Sequence, residues 1–272
     1  MPKSKSRPAG WSAAIHEYAT AQRAAGRSPL TIRLHRHYLR QLWDVSPSPW
    51  RVTTKQLEQI IGTEHWSPET RKSARTVFRG FYRWAHGHGY LDDDPAFSLP
   101  SVHVPQGVAR PAPEFVVKYA VTRLDPRLTL MMQLAAFCGL RVREIAVVHS
   151  RDVIGDELLV HGKGGKQRIV PLIEPSLLRT LEQLDGYAFP NRWTGEPITA
   201  GHVTRIMSAA LPEGWTAHNL RHRLASRSYD GTGDLFAVMK LLGHSRPETT
   251  LRYIGLADRR VRDAARAGLL AS

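Results

Sequence analysis

Between Phe97 and Pro113 the chain carries Pro100, Pro105, Pro111 and Pro113, with Gly107 among them. Each proline fixes its own φ, lacks an N–H donor and disfavours helix in the residue before it. No helix or central strand tolerates that density, so the segment reads as an extended linker over residues 97–112 that parts the chain into two bodies. The length of 272 residues suits two ordinary domains, and 42% hydrophobic residues are enough to give each a core. The formal net charge of +14 is shared evenly. Residues 1–105 hold 15 basic against 8 acidic side chains, and residues 106–272 hold 23 against 16. A surplus on both sides of the linker suggests a polyanion that both bodies touch, nucleic acid before any other. Charge alone leaves a ribosome- or membrane-associated basic protein open.

Cys138 is the only cysteine, which excludes an internal disulfide framework and a zinc ribbon. It lies in the apolar run Leu134–Cys138 and reads as a small core residue. No signal peptide is visible, and no apolar run approaches the ~20 residues of a membrane span. The expectation is an intracellular protein with no membrane partner.

Residues 1–9, with Lys3, Lys5 and Arg7, read as a flexible basic tail. Residues 10–96 read as a helical domain. Trp11–Ala25 stops at Gly26, and Ser28-Pro29 caps a second helix over Leu30–Trp43. Thr53–Gln56 resembles a capping box, and Ser67-Pro68 opens the longest helix. Arg33, Arg36 and Arg40 line one face of the second helix, and Arg71, Arg75 and Arg79 flank the aromatic side of the longest. Basic helices with interleaved aromatics are a DNA-facing pattern, although solvated faces over a core would look alike. Past the linker, Pro126–Cys138 and Val142–Val148 read as helices. Glu157–His161 and Gln167–Leu172 read as a hairpin around Gly162–Gly165, and the chain from Glu174 reads mostly as helix. The fold class is mainly α with a small antiparallel β-sheet.

Four separated segments carry the polar groups suited to chemistry. In Gly139-Leu140-Arg141-Val142-Arg143-Glu144, Arg141 could clamp two phosphate oxygens with Glu144 fixing its orientation. Alone, such a pair is ordinarily a surface salt bridge. In Gly162–Arg168, Lys163 at a glycine-rich tip could deliver a proton, and Lys166 and Arg168 could meet DNA. A plain basic turn would read the same. His218 and Arg221, three apart on one helical face, suit a shared phosphate. His218 and His222 also have the spacing of a metal pair, but no nearby glutamate completes a zinc-protease pattern. Finally, Leu241-Leu242-Gly243-His244 precedes Tyr253 by nine residues from His244, and a lone tyrosine there would ordinarily be core.

Taken together the segments resemble the tyrosine recombinases of the phage integrase and Xer type, in a compact form. The order Arg141, Lys163, His218-x-x-Arg221, His244, Tyr253 and the contexts around these residues match that family over about Pro113–Gly255. Residues 10–96 are similar, by pattern only, to its helical core-binding (SAM-like) domain. Asn219 departs from the family, which usually has Asp there. The resemblance implies a catalytic domain over residues 113–255 and a nucleophile, Tyr253, that forms a 3′-phosphotyrosine. It implies that Arg141 and Arg221 hold the non-bridging oxygens, supported by Glu144. Lys163 would be the general acid, His218 would assist deprotonation of Tyr253, and His244 would bond the phosphate. No metal, nucleotide or other cofactor is implied.

The implied partners are a double-stranded DNA core site, a homotetramer spanning two such sites, and an accessory factor that bends DNA or sets direction. The amphipathic run 256–272 would form a C-terminal helix for subunit contact. About nine residues precede the first helix, so an additional arm-binding domain is expected to be missing. The reading favours integration and excision of a phage or mobile element, with Xer-type dimer resolution as runner-up. A type IB topoisomerase shares the chemistry, and a non-catalytic DNA-binding protein on the same fold is the reading from another class.

Overall fold

A computed structural model describes residues 7–105, 110–122, 124–244 and 247. The chain divides into two compact units at Gln106/Gly107.

The first unit is helical: α1 Gly10–Ala24, α2 Pro29–Arg40, α3 Thr54–Ile61 and α4 Pro68–Gly87. The caps are those the sequence announces. Ser28 accepts from the Thr31 N–H, Ser67 from the Thr70 N–H, and Thr53 and Gln56 close a reciprocal capping box. The second helix ends at Arg40, earlier than Trp43, because the chain tightens into turns there. An aromatic core holds the helices, with Trp11, Tyr18, Phe81 and Tyr82 all buried. The segment read as linker begins later than expected. Leu99 is buried in this core, and its carbonyl accepts from Arg75 Nε and Nη2 at 3.2 and 2.8 Å. Pro8, assigned to the flexible tail, has its carbonyl bonded by the Trp50 indole at 2.9 Å.

The second unit contains α5 Glu114–Thr122, α6 Pro126–Ala136, α7 Val142–Ala146, α8 Pro175–Glu182, α9 Ala200–Ala210, α10 Ala217–Thr232 and α11 Leu235–Leu242. Helix α6 is buried nearly all round and packs against α5, α7, α8, α9 and α10, which makes it the centre of the unit. Helix α5 is absent from the sequence reading. Its valine-rich EFVVKYAVT shows no strong helical stripe, and it is held by burying Val116, Val117 and Ala120. The expected hairpin, β2 Glu157–His161 with β3 Gln167–Pro171, gains a two-residue edge strand, β1 Val153–Ile154, too short for periodicity to betray. Register pairs Leu158 with Val170 and Val160 with Arg168. Leu158, Val160, Val170 and Leu172 are buried in the core beneath the sheet. Between α8 and α9 the chain forms loops tied by single bridges.

One glycine fixes how these elements meet. Gly139 sits at φ +62 after α6, and a Cβ there would lie 2.7 Å from a Leu242 methyl and 2.9 Å from a Leu224 methyl. Gly139→Ala therefore combines left-handed backbone strain with overpacking, a cost of about 2–5 kcal/mol when the two penalties act together. A lowered denaturation midpoint is the expected result. An unchanged midpoint would mean that α10 and α11 are not wedged against this turn.

Candidate active site

The site is assembled around Glu144. Arg141 is the N-cap of α7 in extended conformation, and Glu144 is three residues along. Glu144 Oε2 accepts from the Arg141 backbone N–H at 2.9 Å, and Oε1 accepts from Arg141 Nη1 at 2.8 Å. Arg168 Nη2 donates to Oε2 at 2.8 Å, and Arg221 Nη1 lies 4.0 Å from it. The Glu144 side chain is only 3% exposed, so this is no surface salt bridge. Burial pushes its carboxyl pKa up, but hydrogen bonds from Arg168 and Arg141 outweigh that and hold it below the usual value. One carboxylate among three guanidiniums leaves a net excess of two positive charges. Arg141 is the open member, with 41% of its side chain exposed. A phosphodiester is an anion suited to such a centre.

Helix α10 brings the second arginine. Arg221 is the largest fully buried side chain of the described residues, at 1% exposure. Its Nη1 donates to the Gly139 carbonyl, and its Nη2 to the Leu242 carbonyl at 2.7 Å and to His244 Nε2 at 2.9 Å. Two separate chain segments, the turn after α6 and the end of α11, are thus fixed to one planar fork. His218 lies one turn earlier, exposed, with its ring 4.0 Å from that of His222. Asn219, the departure from the family, has a structural use. Its Oδ1 accepts from the Thr216 N–H and hydroxyl, while its Nδ2 donates to the Arg110 carbonyl at 2.7 Å. An aspartate would keep the first bonds and lose the last.

Helix α11 ends at Gly243 in left-handed conformation, which turns His244 into the site, 9% exposed. Burial, then the charges of Arg221, Arg141 and Arg168, press its pKa down to about 3. The imidazole is neutral at working pH. Because an arginine can only donate, Nε2 is the acceptor and the proton sits on Nδ1. The folded-state pKa lies below the unfolded value, so the unfolded chain takes up a proton first as pH falls. The stability contribution is whole above about pH 6.5 and is lost as pH drops from there toward 3. Glu144, also depressed, adds loss in the same direction at the acid end. Unfolding temperatures measured between pH 7.5 and 4.5 should fall steadily, and less steeply for His244→Asn. Parallel curves for the two proteins would contradict a neutral buried imidazole.

Lys163 is at the hairpin tip in a short 3-10 turn, followed by Gly164 and Gly165 at φ +76 and +75. A Cβ on Gly162 would lie 3.9 Å from Glu144 Oε1, so the root of this hairpin borders the arginine centre. Lys166 is exposed. Arg168, expected to face DNA, is instead 8% exposed, bonded to Glu144 and, through Nε, to the Leu241 carbonyl at 2.9 Å. Period two gives the reason: Arg168, Val170 and Leu172 share the face that points inward. That alternation was present in the sequence and is the signal that would have found it.

In the first unit Arg33, Arg36 and Arg40 line a solvent groove along α2. Arg75 and Arg79 line a second groove, with Arg27 and Arg83. Two of the expected DNA-facing arginines have internal work: Arg75 holds Leu99, and Arg71 Nη2 holds the Thr63 carbonyl at 3.1 Å. Tyr253 and the C-terminal run 256–272 lie outside the described residues.

A mostly helical domain with a three-stranded sheet converges three arginines, a carboxylate and a neutral histidine from separate segments, a centre suited to a phosphodiester. The model of the phage integrase family matches residues 115–260, a span that includes Arg141, Lys163, His218, Arg221, His244 and Tyr253. The tyrosine recombinase XerD of Caulobacter vibrioides is 28% identical over 91% of this chain and 92% of its own length. The tyrosine recombinase XerC of Xanthomonas campestris pv. campestris (strain B100) is 30% identical over 76% and 70%. A lambda integrase dimer bound to a COC′ core site shares the fold at a TM-score of 0.74 and 19% identity, over 92% of this chain and 78% of that one. The XerH recombinase bound to palindromic difH substrate does so at 0.68 and 18%, over 92% and 83%. The chain belongs to the phage integrase family, the tyrosine recombinases, whose members are DNA strand-transferring enzymes. Among the described residues, no helix is long and apolar enough to cross a membrane.

Proposed function

We propose that the protein is a site-specific recombinase in which Tyr253 attacks the scissile phosphate while Arg141 and Arg221 hold its non-bridging oxygens. The observation that carries this is the net positive centre around Glu144, where a buried arginine and an exposed one are fixed by short bonds before any substrate arrives. Such preorganised donors favour the pentacoordinate transition state because they need no reorganisation as charge develops. The Tyr253 oxygen forms a bond to phosphorus, the bond to the 5′ oxygen breaks, and a 3′-phosphotyrosine and a 5′-hydroxyl result. His218 takes the tyrosine proton, Lys163 protonates the departing 5′ oxygen, and the neutral His244 donates through Nδ1 to the phosphate. The ester energy stays in the phosphotyrosine for rejoining. The partner is a double-stranded core site, contacted by Arg33, Arg36, Arg40, Arg79 and Lys166, and two such sites are joined by a tetramer in the bacterial cytoplasm. Integration and excision of a mobile element is our reading of the outcome. Dimer resolution is the second reading, favoured by Xer relatives that align along most of the chain.

Selection of bound duplexes from a random DNA pool supplies the site, and a nicked suicide duplex built on it reads cleavage. Lys163→Ala should slow cleavage of this duplex by about 10²–10⁴-fold, the range of general acid catalysis. A duplex with a 5′-bridging sulfur, whose thiolate leaves unprotonated, should regain most of that rate. Equal loss on both duplexes would assign Lys163 to phosphate binding.

A further inference from the structure

We infer that Arg168 is a positioning residue of the cleavage reaction, a latch that fixes the Lys163 hairpin to Glu144 and to the end of the helix that presents His244. The inference rests on the reading of Arg141, Arg221 and Lys163 given above. Its guanidinium reaches two segments at once. Nη2 donates to Glu144 Oε2 at 2.8 Å, and Nε donates to the Leu241 carbonyl at 2.9 Å. Leu241 stands three residues before His244 and next to Leu242, whose carbonyl holds Arg221. Arg168 itself stands on β3, the returning arm of the hairpin, five residues from Lys163. Space around it is committed too. A Cβ on Gly243 would come within 3.0 Å of Arg168 Cδ, so the turn before His244 is closed down on this side chain.

Removal of Arg168 therefore loosens three things together. Glu144 loses the partner of the oxygen that also receives the Arg141 backbone N–H. The end of α11 loses its tie to the sheet. The hairpin keeps its ladder but is free to shift relative to Glu144. The side chain is 8% exposed, which gives DNA little of it to contact. A displacement of about 1 Å in a catalytic group far from the mutated atom can cost on the order of 10²-fold in rate. With Arg168 gone, Glu144 also loses the strongest of the bonds that hold its carboxyl low, so it protonates at higher pH.

The test uses the full chain, with Arg168→Gln and Arg168→Lys, on the ordinary and the 5′-bridging-sulfur suicide duplexes. Arg168→Gln is expected to bind the duplex within about twofold of the wild type and to cleave it about 10²-fold more slowly at saturation. The acid limb of its pH–rate profile should move to higher pH, and the sulfur duplex should recover part of the rate. Arg168→Lys, which keeps the charge but cannot bridge both acceptors, should cleave at an intermediate rate and folds where the glutamine variant fails. The double variant Glu144→Gln, Arg168→Gln should be no slower than the worse single variant, as for residues acting through one another. Weakened binding with wild-type cleavage at saturation, or strictly multiplicative losses in the double variant, would overturn the inference and make Arg168 a DNA contact. The reading beneath it fails separately, if Arg141→Ala and Arg221→Ala cleave at the wild-type rate.

Discussion

Tyr253→Phe is expected to bind its DNA site as the wild type does and to form no covalent adduct at all. The change removes one oxygen, and with it the only atom of the side chain able to attack phosphorus. The phenyl ring keeps the shape, so neither the arginine centre nor the basic grooves of the first unit should be disturbed. An effect of this kind is all-or-none, because no neighbouring group substitutes for a nucleophile in covalent catalysis. Band-shift affinity and denaturing-gel trapping on the nicked suicide duplex read the two properties apart. Residual adduct in the phenylalanine variant would move the nucleophile to another residue.

Arg221→Ala should lose both cleavage and stability. The buried fork of Arg221 holds the Gly139 and Leu242 carbonyls and His244. Each buried carbonyl left without a donor costs roughly 1–3 kcal/mol. For the reaction, removal of one preorganised donor to a developing oxyanion costs about 10²–10³-fold. Arg221→Lys separates the two losses. It restores a charge but offers a point donor in place of a planar fork, so cleavage should stay low while the unfolding temperature recovers in part. A lysine variant that cleaved like the wild type would show that charge at this position, without bidentate geometry, suffices.

Much of this was legible in the sequence because it is local. The capping serines and prolines, the proline-dense segment after Phe97 and the glycines at the hairpin tip act within a few residues, so spacing reveals them. The order of Arg141, Lys163, His218, Arg221, His244 and Tyr253 was legible as well, and three of those six residues, Arg141, Arg221 and His244, lie at or beside the Glu144 centre among the described residues. What escaped was set by tertiary packing. Glu144 reads as half of a surface pair, and only the convergence of Arg168 and Arg221 from distant segments makes it a buried hub. Arg71 and Arg75 read as DNA-facing because a helical stripe records which face is polar, not what waits opposite it. Helix α5 escaped because its valines oppose the helix that burial enforces.

In the proposed reaction DNA is carried on Tyr253 through a 3′-phosphate. The most direct measurement traps the full-length protein on the nicked suicide duplex, digests the complex with trypsin and nuclease, and sequences the DNA-bearing peptide by mass spectrometry. Cleavage after Arg252 and Arg259 should release the peptide Tyr253–Arg259 with a nucleotide joined to the tyrosine oxygen through its 3′-phosphate. A nucleotide on any other residue, or one joined through its 5′-phosphate, would contradict the account.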